Sequence, residues 1–119
     1  MSYDIRLLDP KTRETIEFDE RHKIRGGTYA LGGTTEAWLN ITYNYCEYFY
    51  KHIDPKDGIR WLYGKTAEET IPILKGAIAS LGTRQSKNYW KPTRGNAGIA
   101  LEGLLYFAEL RPDGIWAGD

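Results

Sequence analysis

The chain has 119 residues, with sixteen basic and sixteen acidic side chains that cancel, a single cysteine, nine Tyr and four Trp. That length makes one domain, long enough to bury roughly two-thirds of its unfolded surface without metal or disulfide support. The zero formal charge argues against duplex nucleic acid or an anionic membrane as partner, and the lone Cys46 against an internal disulfide.

No charged-then-apolar leader opens the chain and no apolar run reaches bilayer length, so a soluble, cytoplasmic protein is expected. Residues 3–8 alternate, with Tyr3, Ile5 and Leu7 on one face and Asp4 and Arg6 on the other. Asp9-Pro10-Lys11 interrupts them, and residues 12–18 resume with Ile16 and Phe18 in phase. Strand, turn, strand is the economical reading, most simply a hairpin. A third short strand is expected within 22–31, interrupted by Gly26-Gly27 and closed by Gly32-Gly33.

The next stretch, EAWLNITYNYCEYFYKHI at 36–53, predicts one central helix spanning about 35–53 with Thr34 or Thr35 as N-cap. At about 100° per residue, Glu36, Asn40, Asn44, Glu47 and Lys51 fall on one narrow polar stripe. Trp38, Thr42, Tyr45, Phe49 and Ile53 make the apolar back, so the helix is expected to be covered on several sides. Residues 54–58 end it, and 59–64 form an apolar connector or a single helical turn.

Thr66 and Glu69 have capping-box spacing, and Ile71, Leu74, Ile78 and Leu81 form a helical stripe stopped by Gly82, giving a helix over 67–81. Pro72 requires that the helix either begins near Thr70 or kinks. Residues 83–95 form a polar, basic loop. A last helix over 96–110 brings Leu101, Leu104, Leu105 and Ala108 to the core. Its small residues Ala97, Ala100 and Gly103 admit a close neighbour, either another element of this chain or a second copy in a homo-oligomer. Pro112-Asp113-Gly114 stops it, and Ile115 and Trp116 are expected to dock back. The expected architecture is a single α+β domain over 1–119: a small antiparallel N-terminal sheet of two or three strands, then three helices.

Three constellations can carry chemistry. The paired asparagines of the helix stripe look like hydrogen-bonding lining, since exposed stripes favour stronger helix formers, although a plain solvent stripe tolerates them. Thr93, Arg94, Gly95 and Asn96 lead into a helix N-terminus able to receive phosphate or carboxylate; an ordinary Asn96 N-cap beside a solvated Arg94 explains them equally. Arg25-Gly26-Gly27-Thr28 fits an anion-binding nest or a tight turn, and it matches neither a P-loop nor a dinucleotide fingerprint. Neither histidine has metal-ligand spacing, and there is no nucleophile elbow. Glu36 and Glu47, roughly 16 Å apart on a helix, are too distant to act as a pair. No catalytic residue, metal or cofactor is expected.

The strings RGGTYALGGTTEAWLNITYNY at 25–45, YGKT at 63–66, YW at 89–90, TRGNA at 93–97 and RPDGIWAGD at 111–119 carry a resemblance that spans the chain. It resembles a group of small uncharacterised proteins of bacteriophages and bacterial mobile elements. The resemblance implies a phage-encoded accessory protein in the cytoplasm of a bacterial host, acting against host defence, and it transfers no residue roles.

The leading expectation is a non-catalytic protein binding a small anionic, nucleotide-like ligand, such as a signal of host antiviral defence that it would sequester. The expected ligand-binding set is Arg25, Thr28, Asn40, Tyr43, Asn44, Glu47, Thr93, Arg94 and Asn96. Arg would take the charged group, Asn the polar edges and Tyr a ring face. This requires the Arg25, Asn40/Asn44 and Arg94 segments to converge. The alternatives are a protein–protein inhibitor of a host defence complex anchored by exposed aromatics, and a small nucleotide-modifying enzyme using Glu36 or Glu47.

Overall fold

A computed structural model describes residues 1–24 and 32–119. In chain order it contains β1 (Ser2–Leu8), β2 (Glu17–His22), β3 (Thr34–Glu36), β4 (Trp38–Thr42), α1 (Cys46–His52), α2 (Ala67–Leu81), α3 (Arg94–Leu110) and β5 (Ile115–Gly118). Short 3₁₀ turns cover Tyr43–Tyr45 and Gly58–Leu62. The expected α+β class holds, with one three-stranded antiparallel sheet, a second two-stranded sheet and three helices. No helix among the described residues is long and apolar enough to cross a membrane.

β1 is the middle strand, in the order β4-β1-β5, with Ile5 opposite Leu39 and Leu7 opposite Trp116. The alternation read from the sequence decides its faces: Tyr3, Ile5 and Leu7 point inward with Leu39, Ile41 and Trp116, all buried. The expected hairpin exists only at its turn. Asp9 Oδ1 accepts from the Lys11 and Thr12 amides, and Leu8 bridges Thr15. Beyond that point β2 leaves β1 and pairs with β3, because both edges of β1 are already occupied by β4 and β5. A three-membered ring joins the sheets: Leu7 N–H donates to Ala37, Ala37 N–H to Ile16, and Ile16 N–H to Leu7. The third strand expected within 22–31 falls largely outside the described residues, apart from its first three positions.

The single helix expected over 35–53 is not formed. Thr34 and Thr35 lie in β3 rather than capping a helix, residues 38–42 are strand β4, and only Cys46–His52 is α-helical. The physical reason is a change of period within the segment. Ala37, Leu39 and Ile41 are buried at every second position, a strand pattern that aromatic Trp38 and β-branched Ile41 and Thr42 reinforce. Tyr45 and Phe49 are buried four apart, a helical pattern. Extended Thr42 marks the switch, its hydroxyl accepting from the Asn44 amide to start the 3₁₀ turn. A helical wheel drawn across both halves superimposed two periods. Glu36 and Glu47 accordingly sit on different elements, β3 and α1.

The later helices follow the sequence more closely. Thr66 and Glu69 form the expected capping box, and α2 starts at Ala67 and continues through Pro72. α3 begins two residues before the expected start: Thr93 is the N-cap, accepting from the Asn96 amide, so Asn96 is freed for another role. α2 and α3 pack along one another. The small residues of α3 are covered from within the chain; a Cβ at Gly103 would collide with Ile24, and one at Gly98 with the Gly82 carbonyl. Trp116 docks as expected. Its indole N–H donates to buried Thr70 Oγ1 at 2.8 Å, and that hydroxyl donates to the Ala67 carbonyl at 2.8 Å.

Candidate functional site

Between α2 and α3 the chain runs through TRQSKNYWKP at 83–92, a segment with no regular secondary structure. Such a loop needs partners for its polar backbone. Here five consecutive carbonyls, 88 to 92, each accept a hydrogen bond from a side chain of another element. Asn96 Nδ2 donates to Asn88 at 3.0 Å and to Lys91 at 2.9 Å. The Tyr45 hydroxyl donates to Tyr89, Asn44 Nδ2 to Trp90 at 2.8 Å, and the Tyr48 hydroxyl to Pro92 at 3.1 Å. Burial pushes the Tyr45 phenol up to about 12, with Tyr89 a smaller influence, so its proton stays in place to donate across the neutral range.

Asn96 is the hub. It is 3 % exposed, and its Oδ1 accepts from the Ser86 amide at 3.0 Å while its two amide hydrogens reach Asn88 and Lys91. Local turns complete the shape, with Asn88 N–H donating to Ser86 Oγ and Trp90 N–H to Asn88 Oδ1. At the loop's base, glycine is required for close approach: a Cβ at Gly95 would occupy the position of the Arg84 carbonyl. Arg94 closes the base by donating to the Ser80 carbonyl at 2.7 Å. Beside it lies His52, whose Nε2 is buried without a hydrogen-bond partner among the described residues. Burial, then the charges of Arg94 and Lys51, hold its pKa below the ordinary value.

The backbone is thus held while most of the side chains face solvent. Arg84, Lys87, Trp90, Lys91 and Arg94 are exposed. Tyr89 and Trp90 stack with ring centroids 5.6 Å apart and planes 28° apart. No acidic residue occurs between Glu69 and Glu102, and both ion pairs found among the described residues belong to Arg111, so these four cations have no carboxylate partner there. The arrangement combines four exposed cations with an accessible aromatic face, which suits a phosphate next to a planar ring.

Of the expected ligand set, Asn44, Thr93, Arg94 and Asn96 come together around this loop, where the amides of Asn44 and Asn96 are engaged by loop backbone. Asn40 is elsewhere, on the outer sheet face, donating to Ser2 Oγ and Asp4 Oδ1 beside Trp38. Tyr43 packs edge-on against Tyr3 and accepts from Arg60 at 3.2 Å. Glu47 is exposed on α1. Arg25 and Thr28 lie outside the described residues. Sequence reasoning missed Lys87, Trp90 and Lys91 as the exposed groups and Tyr45 and Tyr48 as their supports. The signal available was an acid-free basic run with an aromatic pair inside it.

Other concave regions are of different character. A cavity of about 500 Å³ between His22, Ile24, Gln85, Ile99 and Tyr106 is mainly apolar. Two clefts of about 520 and 540 Å³ on the outer sheet face share Asp4, Arg6 and Thr15. None of these is lined by Lys87, Trp90, Lys91 or Arg94. No group of three or more metal-ligating side chains occurs among the described residues. The chain matches no family model, no curated protein and no solved structure.

Proposed function

We propose that the protein is a non-catalytic binder of a phosphate-bearing, nucleotide-like ligand, with the 84–94 loop as its recognition surface. The observation that carries this reading is the fixing of five consecutive loop carbonyls by Asn44, Tyr45, Tyr48 and Asn96 while the cations and Trp90 stay exposed. A loop shaped before its ligand arrives loses less conformational entropy on binding. Arg84, Lys87, Lys91 and Arg94 supply charge, and Trp90 a stacking face. Asn44 and Asn96 position the loop rather than touch the ligand. In the phage setting that the sequence resemblance implies, such a protein would withhold a nucleotide signal from host defence.

Thermal-shift titration with adenosine triphosphate and with inorganic triphosphate tests this. A concentration-dependent rise in Tm is expected, larger for the nucleotide, and lost in Lys87→Ser/Lys91→Ser. No shift, or an equal shift in the double variant, would reject the loop as the site. A protein partner is the second reading. It is favoured by half-exposed Tyr106 and Leu110, which flank a cleft of about 450 Å³ with Phe18. Pull-down of a partner that Tyr106→Ala abolishes would shift weight to that face.

A further inference from the structure

We infer that the ligand of the 84–94 loop is a single-stranded polynucleotide rather than a free mononucleotide; this rests on the loop being the binding surface. Three features of the site point to a chain. First, the groups are displayed on a surface: Arg84, Lys87, Trp90, Lys91 and Arg94 are all exposed. A small ligand gains its affinity by being enclosed, whereas a polymer accumulates contacts along its length.

Second, the single side chain of Asn96 holds Ser86, Asn88 and Lys91 together, so Lys87 and Lys91 lie on one compact turn with Trp90 between them in sequence. A ring and two cations carried on one turn match a strand, whose bases alternate with phosphates along the backbone. Arg84 and Arg94 add charge at the loop's base, where the Arg84 backbone abuts Gly95, next to Arg94.

Third, the charge is local. The chain as a whole is neutral, and β2 alone carries Glu17, Asp19 and Glu20. Duplex binding calls for a broad basic face, and here a narrow one with an aromatic platform favours unpaired bases. DNA and RNA strands share this chemistry, and the loop's groups distinguish them only if the sugar hydroxyl is contacted.

Fluorescence anisotropy with short labelled oligothymidylate and oligouridylate, a duplex of matched length, thymidine triphosphate as competitor and poly-glutamate as competitor separates the cases. Expected is binding to at least one single strand about tenfold tighter than to the duplex and to the triphosphate. Its salt dependence should have a log–log slope of about −2 to −3, for three or four neutralised phosphates at about 0.7 each. Trp90→Ala should weaken it by at least about fivefold. If the triphosphate binds as tightly as the strand, the loop remains a nucleotide site and the polymer inference falls. If the duplex or poly-glutamate competes equally, or Trp90→Ala changes nothing, the strand inference falls. If neither strand nor triphosphate binds, both readings fall together.

Discussion

Two regions of this molecule are anchored by hydrogen bonds, and they are anchored in opposite senses. At the C-terminal strand β5, a side chain goes in: Trp116 is 1 % exposed, and its indole N–H ends on the Thr70 hydroxyl in the core. In the 83–92 loop the backbone goes in, with carbonyls 88–92 bound by Asn44, Tyr45, Tyr48 and Asn96, while Trp90 stays 41 % exposed. The same residue type therefore does two jobs. A buried Trp supplies apolar area and a satisfied donor, which stabilises the fold. An exposed Trp on a held backbone contributes little to the fold and is available to a partner.

That contrast can be broken most forcefully at its buried end. Trp116→Ala should lower stability by about 3–5 kcal/mol, measured by urea denaturation, and leave the affinity of the remaining folded molecules unchanged. A mild cost would mean that β5 docking is incidental. Asn96→Ala comes next, since it strips partners from the Ser86 amide and from two carbonyls; about 1–3 kcal/mol of stability should be lost. Ligand affinity should fall as well, because the loop loses its shape. Retained affinity in a variant whose loop amides exchange freely would show that preorganisation is unnecessary.

Lys87→Ser should be the reverse of Trp116→Ala, changing stability by less than about 0.5 kcal/mol while weakening binding severalfold. The smallest expected effect is on pH dependence. His52 titrates below its ordinary value in the folded protein, so the unfolded chain takes up its proton first as pH falls. Its contribution is therefore fully present above about pH 6.5 and is lost progressively below it. In His52→Gln the stability–pH curve should be flatter between about pH 5 and 7 than in the wild type. Identical curves would remove His52 from the account.

How legible this molecule was from its residues depended on whether one period ran through each segment. β1, α2 and the docking of Trp116 were readable because alternation, a capping box and an isolated apolar tail each have a single local meaning. Residues 36–53 misled because a period-two run, 37–42, abuts a helical one, and both are rich in apolar residues. The partners of β1 were hidden for a different reason: β4 and β5 are distant in sequence, and nothing local says that they outcompete the adjacent β2. At the candidate site, the basic character of the loop and the nearby Thr93, Arg94 and Asn96 were visible. The inward turn of five carbonyls was not, because it depends on Asn44, Tyr45 and Tyr48 arriving from a segment some forty residues earlier.

Amide and indole chemical-shift mapping with an unlabelled short single strand tests the central claim most directly, since it locates the ligand without altering the protein. The account predicts perturbations concentrated in amides 84–94 and at the Trp90 indole N–H, with Trp116 unmoved. Perturbations centred on Tyr106 and His22, or on the outer sheet face around Asp4 and Trp38, would contradict it.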